Sequence, residues 1–392
     1  MAGVACAAAL RQAGLDVEVF EKSRGLGGRI ATRRRDAGSF DHGAQYVTAR
    51  GTRFESLLRR LGEAGAVTEW QPQGRQIPHP PSHGLDQTWF IGTPGMSAMV
   101  KPLAEGLRIH RGTRIAALEK PNGRWCLRTV DGQTVEAFDA VAVTVPAPQA
   151  SPLLAAHGTA FARIERAAMA PCWAAMMTFD APIAGADDVL RPAAGPIAWA
   201  ARNSAKPGRN GGGPEAWVIH VGPAWSRAHL EDEARSVARD LLQAFGEVLG
   251  RTPPQPGHLS AHRWRYALCE TPLQTPCLIG DDGTLGAAGD WCLGARVEAA
   301  YDSGWALEPG WPRASGAHSG SRGRNQQAFE TLQVLRLEYD LHPVAGKPRN
   351  AEFDRLAVAV DVYGFRHQDG PGLGHVQQAC LLAVRHPGRH LG

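Results

Sequence analysis

The first 22 residues constrain the fold more than any other stretch of this chain. Ala2 to Ala13 is a run of strong helix formers, and Gly14 stands where a helix-ending glycine belongs. Asp16-Val17-Glu18-Val19-Phe20-Glu21 then has the β-branched, apolar content of a buried strand and ends on an acid. Helix, glycine and acid-ended strand make the second half of a β-α-β unit. In dinucleotide-binding units an acid about 20 residues past the glycine fingerprint hydrogen-bonds the ribose hydroxyls. Gly3 precedes Glu21 by 18 positions, which suits Gly3 as the last glycine of G-x-G-x-x-G. On that reading the first strand and the two leading glycines would lie before Met1. Taken alone, the pattern is weak, and ordinary helix–strand packing accounts for it better.

The next segment points further. Glu21-Lys22-Ser23-Arg24-Gly25-Leu26-Gly27-Gly28-Arg29 continues to Thr32 and then to Phe40-Asp41-His42-Gly43-Ala44-Gln45-Tyr46. Glycines at 27 and 28 let the backbone approach a pyrophosphate, and Arg29 adds a fixed fork of donors for phosphate oxygens. A plain tight turn and a solvated Arg33-Arg34-Arg35 loop would explain the parts but not their order. With these residues the chain resembles the glutathione-reductase-type FAD proteins, specifically the flavin-containing amine oxidase superfamily and its renalase-like bacterial oxidoreductases. The resemblance runs, with gaps, to about Leu307.

That resemblance implies an α/β fold: a glutathione-reductase-type FAD-binding Rossmann domain, its first strand missing, with a second α+β substrate domain containing a mixed or antiparallel sheet. Residues 1–52, 95–150 and 275–307 are assigned to the FAD-binding domain, 53–94 and 151–274 to the substrate domain, and 308–392 to a C-terminal extension outside the family pattern. It also implies noncovalent FAD, with Gly3, Glu21, Lys22, Gly28, Arg29, Gln45, Tyr46, Ile115, Gly289, Asp290, Arg296 and Val297 as cofactor-binding candidates. The strand around Arg114-Ile115 would offer backbone groups to adenine. Ala287-Ala288-Gly289-Asp290-Trp291-Cys292 reads as a short strand ending on Gly-Asp, followed by a helix from Arg296-Val297-Glu298. In this class the Asp binds the ribityl chain, and the helix N-terminus faces the flavin edge where negative charge collects on reduction. Cys292 stands near, but not in, the context used for covalent attachment.

Tyr46, His262, Trp264 and Arg265 are the candidates for the pocket wall, and His42 suits a structural role as well as a functional one. No Ser-His-Asp or Cys-His constellation is evident. None is required for hydride transfer from a dihydronicotinamide isomer or a neutral amine, the small donors the resemblance implies, with molecular oxygen as acceptor. A non-catalytic remnant of the fold, binding FAD poorly for want of the first strand and glycine turn, is the alternative. An NAD-dependent dehydrogenase fits Glu21 but leaves Gly-Gly-Arg and the later Gly-Asp unexplained.

Composition supports a soluble, cytoplasmic protein. The chain has 392 residues, 43% of them hydrophobic, enough for roughly two or three domains. A net charge of +4 is too dilute to argue for nucleic acid or acidic lipid. Seven cysteines without a Cys-x-x-Cys pair give no metal site, and the longest apolar stretch, Ala167 to Phe179, is too short to span a bilayer. Glu308 to Asn325 reads as a linker, and 326–392 carries no motif. His386 and His390 have helical metal spacing, but Pro387-Gly388 between them points to a solvated tail.

Overall fold

The computed structural model describes residues 1–73, 88–209, 212–308 and 380–385. Helix α1 (Ala2–Gln12) leads into strand β1 (Asp16–Glu21), as the alanine-rich run and the acid-ended strand predict. An antiparallel hairpin of β2 (Arg33–Arg35) and β3 (Gly38–Phe40) follows. In α2 (Thr52–Glu63) the residues Phe54, Leu57, Leu58 and Leu61 recur at helical spacing and are buried. β4 (Val67–Glu69) pairs with β5 (Phe90–Gly92). A 3-10 turn at Met96–Val100 runs into the short α3 (Lys101–Ala104), with Pro102 in its first turn.

Next come β6 (Arg108–Arg111), β7 (Ile115–Glu119), β8 (Trp125–Thr129), β9 (Thr134–Phe138) and β10 (Ala140–Val143). β7, β8 and β9 form an antiparallel meander, with the expected Pro-Asn-Gly and Asp-Gly turns between them. After α4 (Ala147–Leu154), a second sheet is built from β11 (Ala168–Phe179), β12 (Val189–Leu190), β13 (Ile197–Arg202), β14 (Glu215–Val221) and β15 (His258–Thr271). Its order is β12-β13-β14-β11-β15, antiparallel throughout. Between β14 and β15 run α5 (Pro223–Ala228) and α6 (Ala234–Leu249). Val237, Leu241 and Phe245 of α6 share a core with Trp173, Met177 and Trp217. Trp173, Trp199 and Trp217 are buried, as expected of core tryptophans.

β16 (Leu278–Ile279), β17 (Leu285–Ala287), α7 (Asp290–Leu293) and α8 (Val297–Trp305) complete the region of resemblance, and β18 (Cys380–Arg385) follows much later. The main sheet has the order β16-β17-β10-β18-β1-β6. β1 pairs with β6 and β10 with β17 in parallel, whereas β18 runs antiparallel to both of its neighbours. β18, from the chain beyond Leu307, belongs to the main sheet and lies between β1 and β10. The reason is local: Leu381-Leu382-Ala383-Val384 is apolar on both faces, as a doubly covered strand must be, and none of the four is more than 3% exposed. The expected linker beyond Glu308 and the histidines at 386 and 390 lie outside the described residues. Among the described residues no helix is long and apolar enough to cross a membrane.

Candidate functional site

Glu21 ends β1 at the sheet edge where α1, carrying the buried Gly3 in its first turn, begins. One carboxylate oxygen accepts the Ser23 N–H at 2.8 Å. Burial raises the Glu21 pKa, opposed by Ser23, the Met1 amino group and Lys22. The neighbouring Lys22 Nζ is buried and has no hydrogen-bond partner among the described residues. Burial, reinforced by Arg114, brings that ammonium down to about 8. Thr113 N–H donates to Glu21 O at 3.1 Å and Gly112 N–H to Ser23 O at 3.3 Å, which lays the approach to Ile115 along the same edge. The backbone then turns at Gly27 (φ 113°) and Gly28 (φ 56°), a left-handed pair of conformations that glycine adopts without steric cost.

This turn aims Arg29 at Asp290. Nη1 donates to Asp290 Oδ2 and Nη2 to Oδ1, each at 2.6 Å, and Nη1 also reaches Ala267 O on β15 at 3.0 Å. Burial works against the guanidinium charge and Asp290 more than offsets it. The bidentate fork therefore joins the Gly-Gly-Arg turn to the Gly289-Asp290 start of α7, across 261 positions of sequence. Arg296 flanks the N-terminus of α8 and pairs with Glu298, which also accepts the backbone N–H groups of Arg50 and Gly51. Val297 packs into the core around α2 and Tyr301. An unpartnered buried ammonium beside a ribose-type carboxylate, and a guanidinium–carboxylate fork at a glycine turn, are the donors and acceptors that the adenosine, pyrophosphate and ribityl parts of FAD require. The residues present fit the group.

The segment after β3 lies on this turn. A Cβ at Gly43 would fall 1.9 Å from Arg29 O, so only glycine permits the approach, and Ala44 N–H donates to the same oxygen at 2.8 Å. His42 is thereby held against β15. Its ring centroid is 4.9 Å from that of His262 and 5.0 Å from Trp264. Its carbonyl accepts Trp264 Nε1–H at 2.7 Å and lies 3.2 Å from His220 Nε2. His42 Nδ1 is buried without a hydrogen-bond partner among the described residues. Arg33 Nη2 donates to His262 Nδ1 at 3.0 Å. Burial is the main cause that pushes His262 down to about 3 and His220 to about 4, and His42 lies well below its ordinary value. Among the described residues Arg33 has no carboxylate partner. Burial and Arg35 lower its pKa.

The structure thus joins Arg29 to Asp290 and sets His262 and Trp264 against His42, but it separates other candidates. Side chains alternate along β15, so Arg265 lies with Arg263 on the opposite face and pairs with Glu231 at 2.7 Å. Tyr46 stacks on Trp89 with centroids 4.0 Å apart, and its hydroxyl accepts from Arg191 at 3.0 Å. Gln45 is drawn inward, its Oε1 accepting from Lys206 at 3.1 Å. The Cys292 thiol is pushed up to about 12, chiefly by burial, and is no nucleophile at neutral pH.

Sequence reasoning missed the network that holds this segment. Asp41 Oδ1 accepts from Thr32 at 2.7 Å and from Met96 N–H at 3.0 Å. Its Oδ2 accepts from Arg209 Nη2 at 2.5 Å and Lys206 Nζ at 3.3 Å. All three charged side chains are at most 1% exposed. Burial alone would raise Asp41, yet the two cations bring it to about 2, while burial takes Lys206 down to about 8. The only available signal was Asp41 itself within the quoted run. Lys206 and Arg209 sit in a Gly- and Pro-rich stretch that reads as a solvated loop. Among the described residues no cluster of His, Cys, Asp and Glu could hold a metal ion.

The chain matches two known families and resembles several solved structures. Residues 1–61 match the family described as NAD(P)-binding Rossmann-like domain, and residues 81–306 match the family described as flavin containing amine oxidoreductase. Among solved structures, a protein described as a protoporphyrinogen oxidase from Exiguobacterium sp. 255-15 superposes with a TM-score of 0.63 at 15% identity, over 78% of this chain and 95% of that one. Putrescine oxidase bound to putrescine gives 0.58 at 14% identity, over 78% and 95%. An oxidoreductase from Methanosarcina mazei gives 0.56 at 15% identity, over 78% and 97%. At these identities the likeness is one of fold.

Proposed function

This chain belongs to the flavin containing amine oxidoreductase family, and from that premise we propose that it is a renalase-like, FAD-dependent oxidase of an anionic dihydronicotinamide rather than of an amine. FAD, when bound noncovalently, would supply the hydride acceptor, with molecular oxygen as the final electron acceptor. Glu21 and Lys22 hold its ribose end. Arg29 and the Gly27-Gly28 turn hold the pyrophosphate, and Asp290 with the N-terminus of α8 holds the ribityl chain and flavin edge.

The observation that carries the choice of donor is the half-buried Arg33 without a carboxylate partner, set against the imidazoles of His262 and His42. One uncompensated positive charge with neutral ring donors suits a ligand bearing phosphates and repels a diamine. An amine donor must also lose a proton before hydride leaves it. Burial holds His262 at about 3 and His42 well below its ordinary value, so these imidazoles are poor bases for an ammonium at neutral pH. A dihydronicotinamide asks for no base, only for placement.

The test is anaerobic stopped-flow bleaching of the FAD-loaded protein by dihydronicotinamide dinucleotide isomers and by putrescine. Bleaching by the dinucleotides alone is the expected result, and bleaching by putrescine alone overturns the assignment of donor. Arg33→Gln should raise the KM for the dinucleotide about 10- to 100-fold, the loss of one charge-assisted hydrogen bond, with less effect on kcat.

A further inference from the structure

The main sheet is two parallel pairs joined through one antiparallel strand. β1 and β10 do not pair with each other; each pairs with β18. The register runs from Asp16 opposite Arg385 to Glu21 opposite Cys380 on one side, and from Ala140 opposite Val384 to Val143 opposite Leu381 on the other. Outside the ladder, Asp139 N–H also donates to Val384 O at 2.8 Å. Leu381 and Ala383 enter the core that holds Phe20, Val141 and Trp291. Leu382 and Val384 enter the other core, with Leu10 and Val19.

The two halves so joined carry different parts of the site. Glu21 ends β1, and Asp290 follows β17, which pairs with β10. A strand that precedes a helix such as α1 in a parallel sheet would run alongside β1. β18 runs against it and still satisfies both edges, because an antiparallel ladder is no weaker than a parallel one. The position therefore selects an extended segment of about six residues, apolar on both faces, and not a chain direction. In Leu381–Val384 the chain provides such a segment.

We propose that Cys380–Arg385 is a sheet-completing strand that couples the Glu21 half of the cofactor site to the Asp290 half, docked as a separable segment. The coupling to cofactor rests on the FAD reading above; the docking does not. Hydrogen exchange on the full chain, without FAD, reads the docking. Amides of 17–20, 141–143 and 381–384 should exchange slowly and as one cooperative unit. Fast exchange at 381–384 beside slow exchange at 17–20 overturns the proposal.

A protease site engineered between 320 and 330 then separates the segment covalently. After cleavage the C-terminal fragment should co-elute with the body and FAD affinity should be unchanged. The same cleavage in a Leu382→Asp background should release the fragment, remove protection from 17–20 and 141–143 while sparing β11 and β14, and weaken FAD binding at least tenfold. Release from the Leu382 chain with no change in protection overturns the proposal. A full chain that shows the joint protection but takes up no FAD sinks the cofactor reading and leaves the strand assignment standing.

Discussion

Asp41 sits where the Arg29 turn, the Met96 turn and the 203–209 segment converge, and its charge is the reason they do. Replacing it by Asn leaves Lys206 and Arg209 buried with no carboxylate. Such a break in a buried ion network costs about 3–5 kcal/mol. Chemical denaturation should show that loss for Asp41→Asn, and a smaller one when Lys206→Met is added, since one stranded cation is then removed. His220 sets a pH dependence. Its folded pKa, about 4, lies below the 6.5 of the unfolded chain, so between these values the unfolded state binds the extra proton. Stability therefore rises with pH across that window and is lost as pH falls through it, by about 3 kcal/mol for this residue. Urea midpoints at pH 7 and pH 4.5 should differ less in His220→Gln, which removes the titration and keeps a donor toward His42 O. Gly43→Ala should be the sharpest small substitution, because its methyl group would meet the Arg29 carbonyl. FAD affinity should fall with little change in the exchange protection of the second sheet.

At the level of elements, β15 decides which side chains the site receives. His262 and Trp264 point one way, and Arg263 and Arg265 the other, where Glu231 meets them. Arg265→Ala should accordingly leave flavin reduction unchanged, whereas Trp264→Phe leaves the His42 carbonyl short of its closest donor and should cost about 1–3 kcal/mol of stability. Reduction kinetics beside thermal melts separate the two. The sequence string from His262 to Ala267 drew attention to the right strand without revealing its facing, because alternation is visible in sequence only when one face is polar. β1, the Gly27-Gly28 turn and the Gly289-Asp290 step were legible, since each is a local pattern with one geometric solution. The Asp41 network was not. Its members lie 165 and 168 positions apart, and lysine and arginine between glycines and prolines look solvated until the fold buries them. β18 was illegible for a related reason: a short apolar run shows no partner by itself.

Across the whole molecule, the Arg29–Asp290 fork fastens the start of the chain to the last helices of the recognisable region, with Ala267 of the second sheet in the same cluster. FAD placed there binds only the folded state, so at 100 times its Kd it should raise the unfolding free energy by about 2.7 kcal/mol. Melting with and without FAD measures this. In Arg29→Lys, which offers a point charge in place of a planar fork, the gain should shrink. The position of β18 also bears on how the protein is made. Among the described residues every other strand of the main sheet ends by Ala287, yet the strand that joins its two halves begins at Cys380. At about 5–20 residues per second of synthesis, several seconds pass with β1 and β10 complete but unpaired toward each other. During that interval the nascent chain presents two apolar strand edges, which are templates for mispairing. Joining of β1 to β10 thus waits until Cys380–Arg385 has been synthesised, and a chaperone that shields open edges is what such a nascent chain needs.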